Sequence, residues 1–121
     1  MNVLFNNRDP VYLQVVRRFK EEIATGKRVA GEEIPSRREL AGMLQINPNT
    51  AQRAYKEMEE QNLITTEGNS PSRITTDERI LRSIRDELIW EAVSDFIDHI
   101  RNIEVPVDEL IAIVRAKFES E

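Results

Sequence analysis

Apolar residues recur at helical spacing in five stretches of the chain and cluster in two short β-prone runs. Tyr12, Val15, Val16, Phe19 and Ile23 fall at i, i+3, i+4, i+7 and i+11, which predicts one buried helical face. Asp9 as N-cap with Pro10 at the first helical position starts that helix, and Thr25-Gly26 ends it. A turn over 29–33 and an extended Ile34-Pro35 lead into a second helix. Ser36 and Glu39 form the capping-box pattern S-x-x-E at its start, and Leu40, Ala41 and Leu44 form its inward face. After Gln45-Ile46, Asn47-Pro48 opens a third helix whose inward residues are Ala51, Ala54, Tyr55 and Met58, with Asn62 as its C-terminal cap.

The runs 63–66 and 73–76 flank Glu67-Gly68-Asn69-Ser70-Pro71-Ser72 and predict a hairpin with a mobile tip. Helix, helix-turn-helix, hairpin is the order of a winged helix domain. From Asp77 the pattern changes. Ile80, Leu81, Ile84, Leu88, Ala92, Phe96, Ile100 and Ile103 trace a stripe along a helix of roughly seven turns. Val105-Pro106 breaks it, and Val107, Leu110, Ile111, Val114 and Phe118 predict a shorter amphipathic helix. Ile89, Trp90, Val93 and Ile97 widen the apolar surface beyond what two helices can hide by folding on each other, so a second copy of the chain is expected to cover it. The short run Val3-Leu4-Phe5 is expected to tuck against the domain. The expected fold is mainly α with a small β-hairpin wing: a winged helix-turn-helix domain over 9–76, then a two-helix dimerisation tail over 77–121.

Charge sharpens this division. The net charge of −5 is unusual for a partner of nucleic acid, but residues 1–76 hold 11 Lys/Arg against 10 Asp/Glu while 77–121 hold 6 against 12. The acidity sits in the tail, and a phosphate backbone responds to the local field of the face that meets it. The chain has no cysteine, which excludes disulfides and thiolate metal sites. No apolar run is long enough for a signal peptide or a bilayer span, so a cytoplasmic protein without membrane contact is expected.

In a helix-turn-helix the second helix enters the major groove and its first residues meet base edges. Those residues are Asn47, Asn49, Thr50, Gln52 and Arg53. Asn and Gln can pair bidentately with adenine and Arg with guanine. Lys56, one turn on, is positioned for phosphate, and Arg37 and Arg38 lie where helix-terminal N–H groups and cations can jointly hold one. A solvated helix face would also be polar. Between Asn49 and Lys56, however, there is no acid, and the acids resume only at Glu57, Glu59 and Glu60. Repulsion from phosphate would require that asymmetry.

Pro-Ser-x-Arg-Glu-Leu-Ala at 35–41, Asn-Pro-Asn-Thr at 47–50 and Gln-Arg-Ala-Tyr at 52–55 together resemble the GntR family of bacterial transcription regulators. The run Asn-Pro-Asn-Thr-x-Gln-Arg-Ala-Tyr is similar to its YtrA-like branch. The likeness extends to Pro10-Val11-Tyr12-Leu13-Gln14 and spans about 9–76. It implies DNA contacts by Ser36, Arg38, Asn47, Asn49, Thr50, Gln52 and Arg53. Other branches often carry Arg at the position of Gln52, which implies a different base preference here. The family's wing usually ends in Gly-x-Gly, whereas this chain has Gly68-Asn69-Ser70-Pro71-Ser72, leaving Gly68 to approach the backbone and Arg73 as the nearby cation. The resemblance also implies a short helical tail that dimerises, and repression of transporter operons as the typical role.

His99, the single histidine, has no cysteine beside it, and with Asp95 and Asp98 is expected to belong to a charged helix face rather than a metal or catalytic site. Ser36 lacks a histidine nearby in sequence and is read as a cap. Trp90 is open to two readings, a dimer anchor or the wall of a small-molecule pocket in the tail. Tyr12 and Tyr55 are expected in the core with hydroxyls at its rim. Arg79, Arg82 and Arg85 are read as solvated charge, with secondary phosphate contact as the sharper alternative.

The expected protein is a DNA-binding transcription regulator and not an enzyme, with no cofactor and no metal, that binds a double-stranded operator as a homodimer and represses. Leu81, Ile84, Leu88, Trp90, Phe96, Ile100, Leu110 and Val114 are the expected dimer contacts. A small-molecule effector acting on the tail remains open, and a winged-helix module that meets protein is the competing reading.

Overall fold

In the computed structural model, which describes residues 4–120, each helix lies where the apolar period placed it. Helix α1 (Val11–Ala24) buries Val15, Val16 and Phe19. Its N-cap is Pro10, one residue later than Asp9. The reason is local hydrogen bonding. The Asn6 side chain accepts the N–H groups of Arg8 and Asp9, and Gln14 donates to the Asn6 and Asp9 carbonyls. Asp9 is therefore held in the lead-in turn. At the other end, Gly26 takes a φ of +81°, the left-handed conformation expected of it.

Helix α2 (Arg37–Leu44) and helix α3 (Pro48–Glu60) are joined by a three-residue turn. Gln45 leaves α2 with φ +54°, and the Ile46 N–H reaches back to the Ala41 carbonyl. Asn62 closes α3 in the same way, with φ +61° and the Leu63 N–H bonded to the Met58 carbonyl. The inward residues Leu40 and Ala41 of α2, and Ala51, Ala54, Tyr55 and Met58 of α3, are all buried.

The hairpin is real but shorter than the β-prone runs. Strand β1 (Ile64–Thr65) pairs antiparallel with β2 (Arg73–Ile74), in the register Ile64 to Ile74 and Thr65 to Arg73. Its base is reinforced on the other side by the segment after α1. Glu33 bridges to Arg73, the Ile34 N–H bonds the Ser72 carbonyl, and the Ile74 N–H bonds the Glu32 carbonyl. The segment expected only to turn at 29–33 thus serves at its end as an abbreviated third strand. Thr66 and Ser72 share a hydroxyl hydrogen bond of 2.5 Å that pins the neck of the wing.

Helix α4 (Glu78–Ile100) and helix α5 (Val107–Glu119) form the tail. Helix α4 stops at Ile100, so Ile103, expected at the end of its stripe, lies outside it and is 64% exposed. The chain divides into two compact units, one ending at Ile89 and the other beginning at Trp90. In the first unit, Val15, Phe19, Ile34, Leu40, Tyr55 and Ile74 are among the core residues, and Ile84 of α4 is buried with them. Leu81 and Leu88 pack on the same core, and Lys20 of α1 pairs with Glu87 at 2.9 Å. Phe5 also packs there, while Leu4 is fully exposed and Val3 lies outside the described residues. In the second unit Trp90, Val93, Phe96, Ile111, Val114 and Phe118 are exposed.

Candidate nucleic-acid interface

Two side-chain caps build the helix-turn-helix. Ser36 Oγ accepts the Glu39 N–H at 3.1 Å, and Glu39 Oε1 accepts the Ser36 N–H at 3.0 Å. The Ser36 backbone N–H, then its hydroxyl, hold the Glu39 carboxyl below the usual carboxylate range. Asn47 Oδ1 accepts the Asn49 N–H at 2.7 Å with Pro48 at the first helical position. Both cap residues, Ser36 and Asn47, are exposed. Beneath them Tyr55 is fully buried, and its hydroxyl donates to the Pro35 carbonyl. Burial pushes that phenol up to about 12.

On the outer side of α3, Asn49, Gln52, Arg53 and Lys56 are exposed and Thr50 is half-buried. The first turn of α3 carries no acid. This row of amide, hydroxyl and cationic groups is presented by a helix whose opposite face is anchored in the core. Ser36 and Asn47 stand at the same helix starts, although the side-chain oxygens of both are engaged in capping.

The arginines separate by partner. Arg38 is exposed and has no acidic partner among the described residues. Arg37 is turned away from the outer face. It lies over the Tyr55 ring at 5.1 Å and pairs with Glu59 at 2.8 Å, joining α2 to α3. Arg73, at the base of the wing, donates to the Gly31 carbonyl and pairs with Glu33 at 3.5 Å. Arg53 stacks on the Tyr12 ring with its guanidinium carbon 4.0 Å from the ring centre. The wing tip from Glu67 to Pro71 is exposed, and Gly68 has φ +57°, a conformation that suits glycine.

Among the residues assigned to dimerisation, Ile84 is 2% exposed within a single chain and therefore unavailable to a partner. Leu81 and Leu88 are half-buried against the same core. The apolar period marks all three as inward: burial removes Ile84 from the dimer contacts, whereas Leu81 and Leu88 pack on the winged-helix core with part of their surface still open. Trp90 is 75% exposed, Phe96 and Val114 are exposed, and Ile100 and Leu110 are half-buried. His99 sits on α4 with Nδ1 2.6 Å from the Asp95 carbonyl oxygen, a contact within the helix. Among the described residues no cluster of His, Cys, Asp or Glu has the arrangement of a metal site, and no helix is long and apolar enough to cross a membrane. Tyr12, expected in the core with its hydroxyl at the rim, is half-buried and packs against the core, and it also lines a shallow cleft of about 400 Å³ with Asn47, Thr50 and Arg53. Its place one helical turn from Asp9-Pro10, beside the start of α3, could not be read from spacing within α1 alone.

A helix-turn-helix whose second helix is capped and free of acid in its first turn, with an antiparallel wing, defines a DNA-binding transcription regulator. Residues 11–74 match the family model described as bacterial regulatory proteins, gntR family, and the chain belongs to that family. It is similar to a GntR family transcriptional regulator from Listeria monocytogenes, 33% identical with a TM-score of 0.82 over 93% of this chain and 98% of the other. It is 27% identical over 98% of both chains to an uncharacterised HTH-type transcriptional regulator, YhcF, of Bacillus subtilis. The HTH-type transcriptional repressor YtrA of B. subtilis is 42% identical over 57 residues, 47% of this chain and 44% of YtrA. The mainly α winged-helix architecture and the GntR resemblance expected from the sequence are both borne out.

Proposed function

We propose that this GntR-family regulator acts as a repressor: a homodimer that docks α3 of each subunit in successive major grooves of a two-fold operator. The observation that carries the reading is the exposed, acid-free row Asn49, Gln52, Arg53 and Lys56 on a helix held rigidly by buried Tyr55 and Met58. Asn49, Thr50, Gln52 and Arg53, with Asn47 at the helix start, read base edges. Ser36, Arg38 and Lys56 meet phosphates and fix register. Arg37 and Arg73 contribute by holding α2 and the wing in place, and Gly68 lets the wing tip approach the backbone. The name of YtrA, a repressor, supports the sign of regulation.

In this reading residues 9–76 form the DNA-binding part and 77–121 the dimerisation tail, the latter through Trp90, Phe96, Ile100, Leu110 and Val114. The protein acts on chromosomal DNA in the cytoplasm, repression follows from excluding polymerase, and no catalytic step is involved. A small molecule that repacked the tail would change half-site spacing and so affinity.

Selection of bound DNA from a random pool by the purified full chain tests this directly. The expected product is a pseudo-palindrome with half-sites about one helical turn apart, or a multiple of that spacing. Binding to it should weaken steeply with salt as counterions compete. Recovery of no preferred sequence, or an affinity indifferent to salt, would overturn the reading.

A further inference from the structure

Among the described residues three arginines lie over aromatic rings, and they differ in one respect. Arg28 lies 4.7 Å from the centre of the Phe19 ring and pairs with Glu22 at 2.9 Å. Arg37 lies 5.1 Å from the Tyr55 ring centre and pairs with Glu59 at 2.8 Å. In both, the guanidinium is tied to a carboxylate of the same chain, although Arg37 Nε is buried without a hydrogen-bond partner. Arg53 makes the closest stack, 4.0 Å from the Tyr12 ring centre, and no carboxylate pairs with it among the described residues.

A guanidinium stacked by its face keeps all of its N–H donors in the plane of the group, pointing away from the ring. Stacking therefore fixes where the fork lies without consuming any donor. An unrestrained arginine at an exposed helical position would lose side-chain freedom when it met a base, and that loss opposes binding. Here the ring restricts the side chain beforehand. Tyr12 is itself fixed, since it lies in the first turn of α1, packs on the core, and shares the cleft with Asn47 and Thr50.

We propose that Tyr12 is a positioning residue for base recognition: its ring preorganises the Arg53 guanidinium so that the donor fork faces a base edge, guanine being the base whose O6 and N7 match it. The inference rests on the proposed reading of α3 as the base-reading helix. It adds that specificity depends on α1, which contributes no base contact of its own. The ring face does the work, so the hydroxyl is dispensable and Phe is expected to replace Tyr.

The test uses the full chain with its selected operator and variants of that operator changed at single base pairs. Arg53→Ala identifies the pair at which preference relaxes. At that pair Tyr12→Phe should discriminate as the parent does, Tyr12→Leu should lose about two- to five-fold in discrimination, and Tyr12→Leu should add nothing once Arg53→Ala is present. Preference unchanged by Arg53→Ala sinks the base-reading assignment and the Tyr12 role with it. Relaxed preference in Arg53→Ala together with full preference in Tyr12→Leu overturns the Tyr12 role alone. An equal loss in Tyr12→Phe and Tyr12→Leu would also overturn it, by making the hydroxyl the active group. A second measurement does not depend on the variants folding. In the parent, ring current should hold the Arg53 Hδ resonances upfield of those of Arg38, both free and on the operator; coincident resonances would remove the stack.

Discussion

Adjacent residues Arg37 and Arg38 occupy the same helix start with the same side chain, yet their surroundings give them different work. Arg38 projects from the first turn of α2 with no acidic partner among the described residues, whereas Arg37 is committed to Glu59 and the Tyr55 ring. Arg38→Ala should weaken binding to every sequence alike and lower the slope of log affinity against log salt by about one per subunit. Arg37→Ala should leave that slope nearly unchanged and lower the thermal midpoint instead, because it unfastens α2 from α3. Salt titration and thermal unfolding of the two variants separate these outcomes, and equal salt slopes would refute the division of roles. Tyr55 offers a second test at this scale. Its hydroxyl bonds the Pro35 carbonyl in the core, so Tyr55→Phe should cost about 1 kcal/mol near neutral pH. Burial raises the folded phenol above its ordinary 10.0 to about 12, so the folded state favours the neutral form. The stabilisation is whole below pH 10 and is lost as pH rises toward 12. The stability gap between parent and Tyr55→Phe should narrow over that window, and a constant gap would show that the phenol does not resist ionisation.

The elements themselves were legible wherever the signal was local. Ser36 with Glu39, Asn47 with Pro48, and the left-handed Asn62 are decided by neighbours a few residues apart, and the structure has each of them. Contacts between distant segments were not legible. No spacing rule links Glu33 to Arg73, or Arg37 to Glu59, so the extra strand pairing and the diversion of Arg37 appear only once the chain is folded. The same limit applied at α4. Periodicity correctly marks Leu81, Ile84 and Leu88 as inward, but it cannot distinguish a core of the same chain from a second chain. Of the local devices, the α2 capping box has a pH signature. The folded Glu39 carboxyl is held below its ordinary 4.5 by the Ser36 N–H and hydroxyl, so its contribution is present above that pH and fades as pH falls through the depressed value. Ser36→Ala should lower the unfolding midpoint at neutral pH, and the difference from the parent should shrink in acid. Circular dichroism melts at pH 7 and at successively lower pH would show this, and a difference that grew on acidification would contradict the capping role.

At the scale of the molecule, the proposed function separates affinity for DNA from the means of pairing. Residues 77–121 hold 12 Asp/Glu against 6 Lys/Arg, whereas the exposed row of α3 from Asn49 to Lys56 carries Arg53 and Lys56 and no acid despite the overall charge of −5. The second unit leaves Trp90, Phe96, Ile111, Val114 and Phe118 exposed, more large apolar surface than a solitary helical pair ordinarily shows to water. A second copy is the occupant that the proposed two-fold operator calls for, since an isologous contact presents the same patch from both sides. The buried position of Ile84 alters how the dimer should be tested. Leu88→Asp would strike a side chain packed on the winged-helix core and would confuse unfolding with dissociation. Trp90→Asp and Val114→Asp alter exposed positions in the other unit and leave that core untouched. Sedimentation of either variant should give a monomer with an unchanged melting transition for the DNA-binding part. Its affinity for one half-site should equal the parent's, while its affinity for the full operator should fall toward that single-site value, because linkage supplies the second contact at high effective concentration. A dimer of normal stability in both variants would place the subunit contact elsewhere on the chain.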